Sequence, residues 1–132
     1  MRKFISFKTA ANANLIILGL FVIFHALVIL EVTPQSIVWG GRLTSRDELV
    51  QHEVLSIVLM SVCIFITLLK ANYIPLKLKI IPAVGMWFMV VLFLFNTVGN
   101  IFAITLFEKL AFTPMTILLT LFSLRLAIEK ES

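Results

Sequence analysis

Cysteine and charge are both scarce in this chain, and each scarcity closes off a class of protein. Cys63 is the only cysteine, and it lies inside an apolar run. One thiol forms no intrachain disulfide and no cysteine-based metal site, so Cys63 reads as a small buried hydrophobe. Charged residues make up 14% of the 132 positions, against about a quarter in a soluble domain. The 11 Lys and Arg residues flank apolar runs and form no continuous basic face, which argues against a nucleic-acid partner. There is no His-Glu-x-x-His pair and no Gly-x-Ser-x-Gly turn. His52 and Glu53 are consecutive, so on a helix they point about 100° apart and do not readily share an ion. No metal and no cofactor is expected.

What the chain has in excess is apolar surface, at 61% of residues. A globule this small cannot bury that much, because its ratio of surface to volume is too high. A bilayer removes the difficulty by acting as the solvent. Four runs approach the length of about 20 residues that a spanning helix needs. They predict helices over about 10–30, 49–69, 82–104 and 110–128. Short connections between them point to an all-α, membrane-embedded antiparallel four-helix bundle, with residues 1–132 as one integral membrane domain. The basic start, Met1 to Lys8, precedes an uncharged run of 22 residues, Thr9 to Leu30. That run exceeds a secretory signal core and no small-x-small cleavage site follows, so it reads as a retained anchor. The fourth run is the shortest. Thr113-Pro114 reads as an N-cap followed by proline at the first helical position. Only about 15 residues then remain, which Arg125 extends by snorkelling; a re-entrant segment is the alternative.

Charge placement chooses an orientation. With the N-terminus inside, the inner segments hold Arg2, Lys3, Lys8, Lys70, Lys77, Lys79, Arg125 and Lys130, eight in all; the outer loops hold three, Arg42, Arg46 and Lys109. Both termini are therefore expected on the cytoplasmic side. Lys70 to Pro82, with alternating Lys and Leu and with Tyr73, is expected to lie along anionic headgroups.

The remaining polar residues gather by depth. His25 sits near the outer end of helix 1. Gln51, His52, Glu53 and Ser56 open helix 2, and Asn96, Thr97 and Asn100 lie in the outer half of helix 3. Asn96 and Asn100 are four positions apart and share a face, with Gly99 beside them. In the bilayer their amides must find partners in protein or water. The intervening loop offers Trp39, an interface residue type, Gly40-Gly41 for a tight turn, and Arg42, for which Glu53 is the nearest counter-charge. The inner halves look apolar, which leaves no continuous proton relay.

The run Ile37-Val38-Trp39-Gly40-Gly41-Arg42-Leu43 resembles the signature of a family of small four-helix bacterial membrane proteins. The surroundings are similar too: Phe24-His25 in helix 1, Glu53 in helix 2, Asn96-Thr97-x-Gly99-Asn100 in helix 3 and Thr113-Pro114 at helix 4. The resemblance covers most of the chain. It implies the fold, a bacterial cytoplasmic (inner) membrane location and the importance of these residues, and it implies no activity.

Two readings stand side by side. In the first, Trp39, Arg42, His25, Glu53, Asn96 and Asn100 build an outward-facing pocket for an amphipathic small molecule or lipid headgroup. Catalysis by His25 or Glu53 as a general acid or base is a sub-case of it. In the second, the chain is a non-catalytic accessory, scaffold or immunity-type subunit, and the same residues merely fasten helices or a membrane-protein partner. Each residue also has a plain use: His25 and the asparagines as helix fasteners, Glu53 facing headgroups or paired with Arg42 or Arg46, and Trp39 as an anchor.

Overall fold

The computed structural model describes residues 1–32, 45–103 and 105–129. Trp39, Gly40, Gly41 and Arg42 lie outside them. The described chain is all-helical: α1 spans Phe7–Ile29, α2 Arg46–Lys70 and α3 Ile80–Ile101, and the last helix opens with a π-helical turn at Glu108–Phe112 and continues as α4, Thr113–Ala127. Each of the four is long and apolar enough to cross a membrane.

Local chemistry sets the helix ends. Ser6 caps α1 by accepting the Thr9 N–H at 3.0 Å. Ser45 caps α2 by accepting the Glu48 N–H at 3.1 Å, with Asp47 and Glu48 placed to favour the positive end of the helix dipole. Both α1 and α2 stop in the same way. Glu31 and Asn72 take positive φ, 62° and 60°. Val32 N–H then bonds Leu27 O at 3.0 Å, and Tyr73 N–H bonds Leu68 O at 3.0 Å. These six-to-one bonds satisfy carbonyls that a helix end otherwise leaves bare. Asn tolerates this backbone region well; Glu31 is a less usual choice, and its carboxylate lies 3.5 Å from Arg46.

The fourth helix corrects an expectation. Thr113 is not its N-cap. Thr105 takes that role: its hydroxyl donates to Glu108 Oε2 at 2.6 Å and accepts from the Glu108 N–H at 3.4 Å. The helix thus starts near Glu108, and the spanning length becomes 20 residues, Glu108–Ala127. Pro114 supplies the physical reason for the π turn. Proline cannot donate to a carbonyl four residues back, and its ring crowds that carbonyl. The widened turn absorbs the mismatch, with Thr113 N–H bonding Glu108 O, five residues earlier.

The helices form a ring in chain order, with α1 against α2 and α4, and α3 against α2 and α4. Leu18, Phe21, Met60, Met86, Met89, Phe93 and Leu119 fill the middle. Both termini meet at one end of the bundle, called the near end. There Arg2 donates to Ile128 O at 2.8 Å, Arg125 to Ile5 O at 2.8 Å and Lys70 to Glu129 O at 3.0 Å. Tyr73 adds a tie from the α2–α3 connection, donating to Asn12 Oδ1 at 2.6 Å. The near half is less apolar than expected, because Asn14 is fully buried and donates to Ser123 Oγ at 3.2 Å between α1 and α4.

Two glycines on α3 mark a difference along its length. A Cβ on Gly85 would sit 2.7 Å from Ile66 Cγ2, whereas one on Gly99 would meet nothing within 4 Å. Gly85→Leu is therefore expected to destabilise the bundle by about 1–3 kcal/mol through overpacking. Gly99→Ala should be neutral or gain up to about 1 kcal/mol of helix propensity. Denaturant unfolding in a fixed detergent micelle compares the two; equal effects would contradict the packing difference.

The near-end cluster makes a second prediction. The Arg125 hydrogen bond holds the Glu129 carboxyl below its ordinary value of 4.5, against some desolvation, and the charges of Arg2, Arg125 and Lys70 add to the lowering. A carboxylate with a depressed folded-state pKa contributes stability above its unfolded-state value and loses it as pH falls through the folded-state value. The thermal midpoint should thus fall on acidification below about pH 4.5, and part of that slope should vanish in Glu129→Gln. An unchanged slope in the variant would remove Glu129 from the account.

Candidate functional site at the far end

At the end opposite the termini, polar side chains fasten the helices in two pairs. His25, on α1, lies one turn before that helix ends at Ile29. Its Nδ1 is hydrogen-bonded to Glu53 Oε2 on α2. Glu53 is fully buried and His25 is mostly so, at 15% side-chain exposure. Burying a carboxylate in the hydrocarbon zone is costly unless a partner neutralises or hydrogen-bonds it. On the other side of the ring, Thr97 Oγ1 of α3 lies 3.0 Å from Thr116 Oγ1 of α4. Asn100 Nδ2 reaches the same hydroxyl at 3.5 Å, a weak contact.

Between these two fastened pairs lies a cleft of about 350 Å³, within the range of small-ligand sites, about 300–1,000 Å³. Its walls are mainly apolar: Phe21 from α1, Leu59 and Met60 from α2, Leu92 and Phe93 from α3, and Phe112 from the π turn. Six polar residues reach it, namely His25, Ser56, Asn96, Asn100, Glu108 and Thr116. The His25 end is walled by aromatic rings. Phe21 stacks near the imidazole at 6.4 Å, Phe24 meets it edge-on at 5.7 Å, and Phe24 meets Phe112 at 5.0 Å. Such edge-on ring pairs hold their partners in defined orientations.

The structure brings together His25, Asn96 and Asn100 around one space. Glu53 stands behind His25 and does not line the cleft. Among the described residues Glu53 meets His25, while Arg46 turns to Glu31 and to the backbone carbonyl of Ile29. His52 turns along its own helix, with Nδ1 at 2.8 Å from Glu48 O. Asn96 is exposed at the cleft edge, and its side chain makes no hydrogen bond among the described residues. Trp39 and Arg42 belong to the segment outside the described residues. Among the described residues, no three His, Cys, Asp or Glu side chains converge as a metal-ion site would require.

Two polar lining residues were not anticipated. A helix 4 starting at residue 110 would leave Glu108 in a loop, yet Glu108 is buried and faces the cleft. The signal was present as Thr105-x-x-Glu108, a capping-box spacing. Thr116 and Thr120 follow Thr113 at helical spacing, a polar stripe on α4 that marks the face toward Thr97 and Asn100. Compared with protein-family models, with curated proteins and with solved structures, the chain gives no match.

The His25–Glu53 pair is expected to matter for folding. Glu53→Leu strands a buried imidazole nitrogen, at a cost of about 1–3 kcal/mol. Double-mutant analysis of His25→Phe and Glu53→Leu should then return a coupling energy of at least about 0.5 kcal/mol. Simple additivity would mean that the two side chains do not support one another.

Proposed function

We propose that this is a small protein of the bacterial cytoplasmic membrane whose far-end cleft binds an amphipathic small molecule or a lipid headgroup. The observation that carries this reading is the cleft itself. A cleft of about 350 Å³ opens between the helices, and Asn96, Asn100, His25 and Glu108 reach it. An apolar wall with a few converging polar groups suits a ligand with a greasy part and a hydrogen-bonding part.

The far end is periplasmic in this reading, with both termini cytoplasmic. Among the described residues, Arg2, Lys3, Lys8, Lys70, Lys77, Lys79 and Arg125 belong to the near end, and only Arg46 and Lys109 to the far end. That bias favours the near end as the cytoplasmic one. The Ile37 to Leu43 signature supports membership in the small bacterial membrane family that it resembles. In this proposal the ligand's anionic or carbonyl group is the partner assigned to Arg42, with Trp39 beside it in the same sequence signature, and the asparagines donate hydrogen bonds. Glu53 acts through His25, fixing the ring that faces the ligand.

Native mass spectrometry of the protein released from a mild detergent tests this. A reproducible small adduct is expected. It should disappear in Arg42→Ala and in Asn100→Ala while the thermal midpoint stays within a few degrees, roughly what a change under 1 kcal/mol produces. A bare chain mass together with a stoichiometric membrane-protein partner would replace the pocket with the accessory-subunit reading.

A further inference from the structure

The α2–α3 seam is closed at one end and open at the other. Near the termini, Gly85 lets α3 approach Ile66 so closely that even a methyl group does not fit. Thr67 Oγ1 also lies 4.0 Å from Met89 Sδ there. Toward the far end Gly99 has nothing within 4 Å of its Cβ position. At that level His25–Glu53 joins α1 to α2, and Thr97–Thr116 joins α3 to α4. Among the described residues, no side-chain hydrogen bond or ion pair joins α2 to α3 there. The cleft is lined from both helices, by Ser56, Leu59 and Met60 on one and by Phe93, Asn96 and Gly99 on the other. Phe95, which lines the cleft, is 73% exposed, and Leu55 on α2 is 65% exposed, surfaces suited to hydrocarbon.

We propose that the cleft is filled sideways from the bilayer, by the acyl chain and ester or amide linkage of a leaflet lipid passing between α2 and α3. This deepens the pocket reading and rests on it. Depth selects the linkage. Asn96 lies five residues before α3 ends at Ile101, about 7.5 Å along the axis. That places its amide just below the headgroups, where lipid carbonyls lie. At this depth a lipid carbonyl is within reach of the exposed amide and accepts the hydrogen bond that the described protein does not. The cleft volume, at the low end for ligand sites, suits one chain segment with its linkage and not an entire lipid.

The full chain, reconstituted in phosphatidylcholine vesicles whose lipid carries a diazirine near one ester, tests the proposal by irradiation and peptide mapping. Met60 and Phe93, which line the cleft and are buried at 7% and 1% exposure, are expected to be cross-linked along with the exposed Val84. Gly99→Phe fills the opening from a position with free space and should abolish labelling of Met60 and Phe93 while Val84 keeps its label. Ser56→Leu narrows the seam from the α2 side and should act in the same direction, so the test does not rest on one variant folding. Labelling of Val84 alone in the wild type, or interior labelling unchanged in both variants, overturns lateral filling. If the native-mass adduct persists in that case, the pocket stands and is filled from the aqueous rim. If the adduct is absent too, the pocket reading falls with it.

Discussion

Inside a bilayer a polar side chain has only protein or another polar guest to bond with, and this bundle is arranged around how its few polar side chains are shared out. His25 meets Glu53 between α1 and α2, and Thr97 meets Thr116 between α3 and α4. Asn14 meets Ser123 between α1 and α4. Among the described residues, the side-chain polar contact across the α2–α3 seam is the long Thr67–Met89 one, at its near end. Among the same residues three sides of the ring are pinned by closer polar bonds, and the fourth relies on packing such as Gly85 against Ile66. Packing fails where Gly99 leaves space, so the cleft forms there.

The same arrangement separates the two halves of the molecule by task. The near end is dense with ties: Arg2, Lys70 and Arg125 all converge on the last turn around Ile128 and Glu129, and Tyr73 holds the α2–α3 connection to α1. The first residues and the last described turn are held together there, and Gly85 lets α3 pack closely on Ile66 of α2. The far end has the aromatic cluster of Phe21, Phe24, Phe107 and Phe112 beside His25. Rings of this kind form a firm wall without using up hydrogen-bonding groups. The π turn belongs to the same design. By widening the helix ahead of Pro114 it brings Glu108 and Phe112 to the cleft from one short stretch, and π turns often coincide with functional positions.

Several features were legible along the chain. Apolar run length marked all four helices, with starts set two or three residues too late because cap chemistry begins before hydrophobicity does. Asn96 and Asn100, four apart beside Gly99, pointed to a shared face, and His25 pointed to the same depth. Other features were hidden. Thr113-Pro114 imitates a helix start so well that the true cap, Thr105, was passed over, and with it Glu108. Asn14 and Ser123 lie in runs whose apolar neighbours dominate any local average, so their pairing left no trace in either segment.

The sequence by itself therefore determined how many times the chain can cross a membrane, which residues are costly to immerse, and at what depth each sits, since run length and spacing are local properties. Only the tertiary structure decided who partners whom. That Glu53 takes His25, that Asn14 finds Ser123 109 positions away, and that α2 and α3 part at one end depend on each helix's rotation about its own axis. That rotation is settled by close packing against two neighbours at once, which no single segment encodes.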